Sequence, residues 1–122
     1  MELARSDAVS VRVRFEKPDG PLTDVLMVDH QGYQACPGLV VCRRLEWDFD
    51  EQRFVPTSRR EWMIIHTASG HKVGPTFYGK GFAYAAAQAV ADLVDWTVPD
   101  IHELAALPQA GEIREVLRGC SR

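Results

Sequence analysis

WMIIHTASGHKVGPTFYGKGFAYAAAQAVADLV, residues 62–94, contains the point at which the chain changes its period. Trp62 to Thr67 is rich in β-branched and aromatic residues and reads as a strand, and His71 to Phe77 reads as its return. Ala68, Ser69 and Gly70 join them, and a glycine late in a three-residue connection is what such a hairpin uses. Gly74 and Pro75 assign the returning strand to a sheet edge, because proline has no N–H to give a neighbour. After Gly79 and Gly81 the spacing becomes helical, with Phe82, Ala86, Ala89, Val90, Leu93 and Val94 on one apolar stripe. Ala85, Ala86, Ala87, Ala89 and Ala91 are strong helix formers of little bulk, so this helix can lie close against a sheet.

Toward the N-terminus, Val9, Val11, Val13 and Phe15 alternate with Ser10, Arg12 and Arg14 at the period of a half-buried strand. Lys17 to Pro21 is a turn, Val25 to Val28 a short second strand and Gly38 to Trp47 a third. The charged segment 48–61 is an excursion at the sheet edge, with Phe49 and Phe54 spaced as across a hairpin tip. Toward the C-terminus, Thr97 caps a helix whose first turn tolerates Pro99 and which ends by Pro108. A last helix, Glu112 to Arg118, puts Ile113, Val116 and Leu117 on one face and stops at Gly119. The layout predicts a single α+β domain over 1–122. An antiparallel sheet of about four to five strands is covered on one face by the Ala-rich helix, with two short C-terminal helices. Trp62, Trp96, Phe77 and Phe82 fill the layer between sheet and helix.

The composition, 46% hydrophobic and 25% charged over 122 residues, is that of a globular domain. The formal charge is −3, and the excess acid lies in residues 81–122, while residues 1–80 balance, which argues against a general polyanion binder. Cys36, Cys42 and Cys120 are an odd, sparse set and read as reduced thiols of a cytoplasmic protein. The first residues, MELARSDAV, do not resemble a signal peptide, and no run of about 18 apolar residues predicts a membrane span.

Tests for chemistry give little. Zinc needs close pairs of N/S ligands, whereas Cys36 and Cys42 are six apart, His30, His102 and Cys120 are isolated, and His66 and His71 meet only in the right hairpin register. The prediction is no metal and no cofactor. A cysteine hydrolase built on Cys36 with His30, His66 or His71 is conceivable, but no spacing fixes its geometry. Asp48 to Arg53 begins like a calcium loop and fails at Arg53, where glycine is needed, and at Arg59, where glutamate is needed. Ser69 to Gly74 lacks the pattern of a phosphate loop. Arg43, Arg44, Arg59 and Arg60, with Arg12, Arg14, Lys72 and Lys80, form a basic concentration that would suit nucleic acid beside Trp47, Trp62 or Tyr33. Glu46, Asp48, Asp50, Glu51 and Glu61 in the same stretch argue for paired surface charge instead. The helix face carrying Tyr84, Gln88, Ala91 and Asp95 is small and weakly polar, and suits packing on a partner.

Residues Glu61 to Gly70, followed by the Ala-rich helix and Leu93 to Thr97, resemble small uncharacterised proteins of actinobacteria and their phages. The shared features are a Trp strand, a His/Thr and Ser-Gly hairpin, a helix and a terminal Asp-Trp. The resemblance covers residues 61–97 and implies a non-enzymatic accessory protein of a phage or mobile element. The order of strands then helix is also that of double-stranded-RNA-binding domains and integrase arm-site domains, although Lys80 is the sole basic residue near this helix start. The leading expectation is therefore a docking module for a host or phage protein, using an exposed sheet face and the 48–61 hairpin. Its candidate partner-binding residues are Arg43, Arg44, Arg59, Arg60, His66 and His71. A nucleic-acid binder using the four arginines is the alternative, and a cysteine hydrolase ranks third.

Overall fold

The computed structural model describes residues 8–16 and 25–120, so the turn expected at 17–21 lies outside the described residues. Seven strands come first: β1 (Val9–Glu16), β2 (Val25–Cys36), β3 (Leu39–Arg43), β4 (Leu45–Asp48), β5 (Arg53–Pro56), β6 (Trp62–His66) and β7 (Lys72–Phe77). Three helices follow: α1 (Lys80–Val90), α2 (Ile101–Ala105) and α3 (Ala110–Cys120). Five strands form one antiparallel sheet in the order β1-β2-β3-β6-β7, and β4 pairs with β5 in a separate two-stranded sheet. This is the α+β class that the switch of period predicts, with β7 at the edge where Pro75 requires it.

The sheet carries a core on each face. On the helix side, Leu39, Val41, Ile64, Val73 and Phe77 meet Ala83, Ala86, Ala87 and Val90 of α1, together with Trp96 and Leu117. On the other side, Val40, Cys42, Met63 and Ile65 meet Val11, Val13 and Leu45, and Phe54 of β5 stacks on Phe15 at 4.1 Å. Strand β1 reaches the β6–β7 hairpin tip, where Arg14 N–H donates to the Gly70 carbonyl at 2.9 Å. The uninterrupted apolar run Leu39 to Cys42 follows from burial on both faces, since alternation disappears when neither side meets water. The sheet face that the sequence reading left open for docking is thus occupied by the second core.

Several boundaries move, each for a local reason. Strand β2 runs to Cys36 rather than ending at Val28, and it serves two neighbours, β1 from Val25 to Gly32 and β3 from Tyr33 to Cys36. Gly32 sits at the changeover, where a Cβ would lie 2.5 Å from Val40 Cγ1 and 2.6 Å from the Val41 carbonyl oxygen, so only glycine allows the strands this close. The strand expected over 38–47 breaks at Arg44, whose N–H donates to the Glu61 carbonyl and whose carbonyl accepts from Thr57 N–H, each at 2.9 Å. Beyond the break, Trp47 pairs with Phe54 across the β4–β5 hairpin. Phe49 stands exposed in its turn.

The buried stripe of α1 is Ala83, Ala86, Ala87 and Val90, which keeps the expected Ala86 and Val90 but has Ala83 and Ala87 in place of Phe82 and Ala89, and Phe82 is 58% exposed rather than part of the core. Asp100, not Thr97, caps α2 by accepting from His102 N–H at 2.8 Å, while Thr97 is held in a turn by Asp95. Helix α3 starts at Ala110 and runs through Gly119. Gly74 in β7, at φ +76°, leaves room for Leu117 of α3, whose Cδ1 would lie 2.8 Å from a Cβ there.

Candidate binding surface

The fold separates the arginines that the sequence groups. Alternation along β3 places Arg43 on the helix side of the sheet with Val41, and Arg44 turns away. Arg43 lies over the Trp62 ring at 5.5 Å and donates to the carbonyls of Thr57 and Arg59, each at 3.3 Å. Arg44 pairs with Glu61 at 3.2 Å. Lys72 donates to Thr76 Oγ1 at 2.9 Å, and its pKa is lowered by burial and then by the nearby Arg44. Arg59 is exposed, and the Arg60 guanidinium lies 4.0 Å from where a Gly79 Cβ would sit.

Arg43 and Arg60 therefore flank one feature at the end of the helix-side face that α1 leaves open. Trp62 and Tyr33 stand half-buried with ring centroids 6.3 Å apart and planes tilted by 39°. Lys80 Nζ sits 3.5 Å over the Tyr33 ring. Lysine in the first turn of a helix opposes the macrodipole, and the face of Tyr33 offsets part of that cost. Helix α1 begins at Gly79 with no side-chain cap and no acidic residue in its first turn. Around that start Tyr78 is 63% exposed and Phe82 58%, while Tyr84, 37% exposed, lies on another side of the helix.

His66 does not belong to this surface. Its ring is fully buried, with Nδ1 2.6 Å from Ser69 Oγ and Nε2 2.9 Å from the carbonyls of both Trp96 and Val98. Carbonyls only accept, so Nε2 carries the proton and Nδ1 accepts from the serine hydroxyl in the neutral ring. His66 is a structural staple that binds residues 96–98 to the sheet, not a partner-binding residue. The register does set it opposite His71, since His66 N–H donates to the His71 carbonyl at 2.9 Å. The His71 ring instead approaches His102 at 6.1 Å, and its Nδ1 is buried with no hydrogen-bond partner among the described residues. Burial lowers the His71 pKa, and Arg14, His102 and His66 lower it further. Among the described residues, no three of His, Cys, Asp and Glu converge as a metal site would need.

The other candidates are likewise engaged. Burial raises the Cys36 thiol, Asp92 adds to this, and a hydrogen bond at Leu39 partly offsets it. Burial pushes Cys42 up to about 12. A nucleophilic thiol needs the opposite shift. His30 Nε2 bonds the Arg43 carbonyl at 2.9 Å. In the 48–61 hairpin, Asp48 Oδ1 accepts from the N–H groups of Asp50 and Glu51, and Glu51 pairs with Arg53 at 2.6 Å, so acids that look like the start of a calcium loop build a turn.

Sequence reading named Arg43, Arg60, Trp62 and Tyr33 but did not place Lys80 over Tyr33 or expose Phe82. The available signal was Tyr78, Lys80 and Phe82 alternating with Gly79 and Gly81 ahead of the alanines. Comparison with protein families, curated proteins and solved structures gave no match for this chain. Among the described residues, no helix is long and apolar enough to cross a membrane.

Proposed function

We propose that this chain is a non-enzymatic accessory protein of a phage or mobile element that docks onto a phage or host protein through the start of α1. The observation that carries the reading is the exposure of Tyr78 and Phe82 at the start of a regular helix, bordered by Lys80 and Arg60. Aromatic residues and arginine anchor protein interfaces because they bury much area with few rotors to freeze. The docking surface moves away from the sheet face, which holds a core, and from the 48–61 hairpin, whose charges are partly engaged. Arg43 and Arg60 stay in it, Arg44 is paired with Glu61, and His66 is sealed inside the fold. The raised thiol of Cys36 weighs against hydrolase chemistry.

The test is capture from bacterial lysate with nuclease present, run in parallel with a Tyr78→Ser, Phe82→Ser double variant. A protein retained by the parent and lost by a double variant with an unchanged melting curve supports the reading. Equal retention by both overturns it. The array of Arg43, Trp62, Tyr33 and Lys80 favours one second reading, single-stranded nucleic acid, since cations beside rings suit phosphates and bases. That reading requires affinity to fall steeply with salt and to be lost in Lys80→Glu; a flat salt response removes it.

A further inference from the structure

A second concavity lies away from this surface, between β7, α2 and α3. It is a cleft of about 130 Å³ walled by Val73, Trp96, Ile101, Leu104, Ala110 and Ile113. Its lining offers little polarity. The Trp96 indole N–H is already bonded to the Val90 carbonyl at 2.9 Å, so this residue presents a ring, and the Lys72 ammonium at the border of the cleft is held by Thr76. The charge comes from Arg114, which lines the cleft from α3 and has no ion-pair partner among the described residues. Glu115, next along α3, is tied to Arg118 at 2.9 Å and does not neutralise Arg114.

An apolar recess with one unpaired guanidinium is complementary to an amphiphilic anion. We propose that this cleft binds a small monocarboxylate whose apolar body has about six carbons, with the carboxylate on Arg114 and the body against Trp96 and Leu104. The size follows from volume, since a cavity of about 150 Å³ accepts benzene. The site exists because Ala105 and Ala110 stand where larger side chains would fill the space between α2 and α3. Trp96 also accepts at its carbonyl from His66, so its indole is held from both its N–H and its backbone and forms a fixed wall.

The experiment is a methyl NMR titration of the intact chain with benzoate and with benzyl alcohol, a neutral compound of similar size. Benzoate is expected to shift the methyls of Val73, Ile101, Leu104 and Ile113 saturably, with benzyl alcohol about tenfold weaker. Arg114→Gln, an exposed change that leaves the fold intact, should bring benzoate down to the affinity of the alcohol. Ala110→Leu should fill the cleft and abolish both. The proposal is overturned if benzoate gives no saturable shifts by about 10 mM, or if Arg114→Gln leaves its affinity unchanged.

Discussion

Strands β3 and β6 lie side by side, and the two ends of this one pairing are treated in opposite ways. At one end Leu39 is opposite His66, and at the other Arg43 is opposite Trp62. Both His66 and Arg43 are polar groups on the helix side of the sheet. His66 is sealed by two carbonyls and a serine hydroxyl from its own chain, so every polar atom of its ring is used internally. Arg43 spends only Nη1 on carbonyls of its own chain, both at 3.3 Å, and otherwise rests on a ring face as Lys80 does, and a cation on a π face keeps N–H donors that another molecule can take. The difference separates a group that holds the fold from groups that are held by it and remain available.

The largest test of that contrast is substitution at equivalent register positions. His66→Leu keeps the bulk but leaves the Trp96 and Val98 carbonyls and the Ser69 hydroxyl without the ring, and should cost on the order of 3 kcal/mol. Arg43→Met removes two long hydrogen bonds and one cation–π contact at the open end, and should cost about 1 kcal/mol or less. Urea unfolding followed by circular dichroism reads both. Equal losses would break the comparison, because Arg43 would then be structural in the same sense as His66.

The second test concerns how the open end is positioned. Tyr33 reaches the surface because β2 changes partner at Gly32 and presents its last residues to β3. Gly32→Ala drives a methyl into Val40 and the Val41 carbonyl, and should destabilise by about 2 kcal/mol. It should also move Tyr33 away from Lys80. Loss of stability with an undisturbed Tyr33 ring resonance would show that the array does not depend on this crossing.

The sequence carried the elements better than their partners. The hairpin of β6 and β7, the edge position of Pro75 and the Ala-rich helix were all legible because each depends on local periodicity or on proline's missing donor. The continuation of β2 beyond Val28 was not, since Asp29, His30, Gln31 and Gly32 carry none of the usual apolar signal and are ordered by neighbours remote in sequence. The placing of Phe82 in the α1 stripe fails for a similar reason. Phe82 is the most hydrophobic residue of the first turn, but Ala83 is the one whose small side chain allows close packing on the sheet. At the candidate surface, Arg43 and Arg44 read alike in sequence, and only the pleat sends one to Trp62 and the other to Glu61.

A smaller effect is expected at Lys80. Replacing it by Ala removes the contact with Tyr33 at a cost of about 0.5–1 kcal/mol, partly recovered because alanine no longer opposes the positive end of α1. Stability should stay nearly unchanged while partner binding drops. A variant that melts earlier but binds normally would assign Lys80 to the fold and place the open end in the same category as the sealed one.

The smallest effect returns to the sealed end and is a matter of proton binding. The neutral form of His71 is favoured in the folded chain, because protonation would place a charge in a partly desolvated site facing Arg14 of β1, His102 of α2 and His66 of β6. Its pKa is lowered from 6.5, so as pH falls through that value the unfolded chain takes up its proton first. Protons bound preferentially by the unfolded state reduce stability, and the loss grows until the folded pKa is passed, after which it is constant. Urea midpoints should therefore decline between pH 7 and pH 5, and His71→Gln should flatten that part of the decline that belongs to this ring. The difference between the two profiles reads His71 together with its coupling to His102 and His66. Parallel profiles would mean that the ring is protonated without penalty, and that the approach of His102 is relieved by movement of α2 rather than resisted by it.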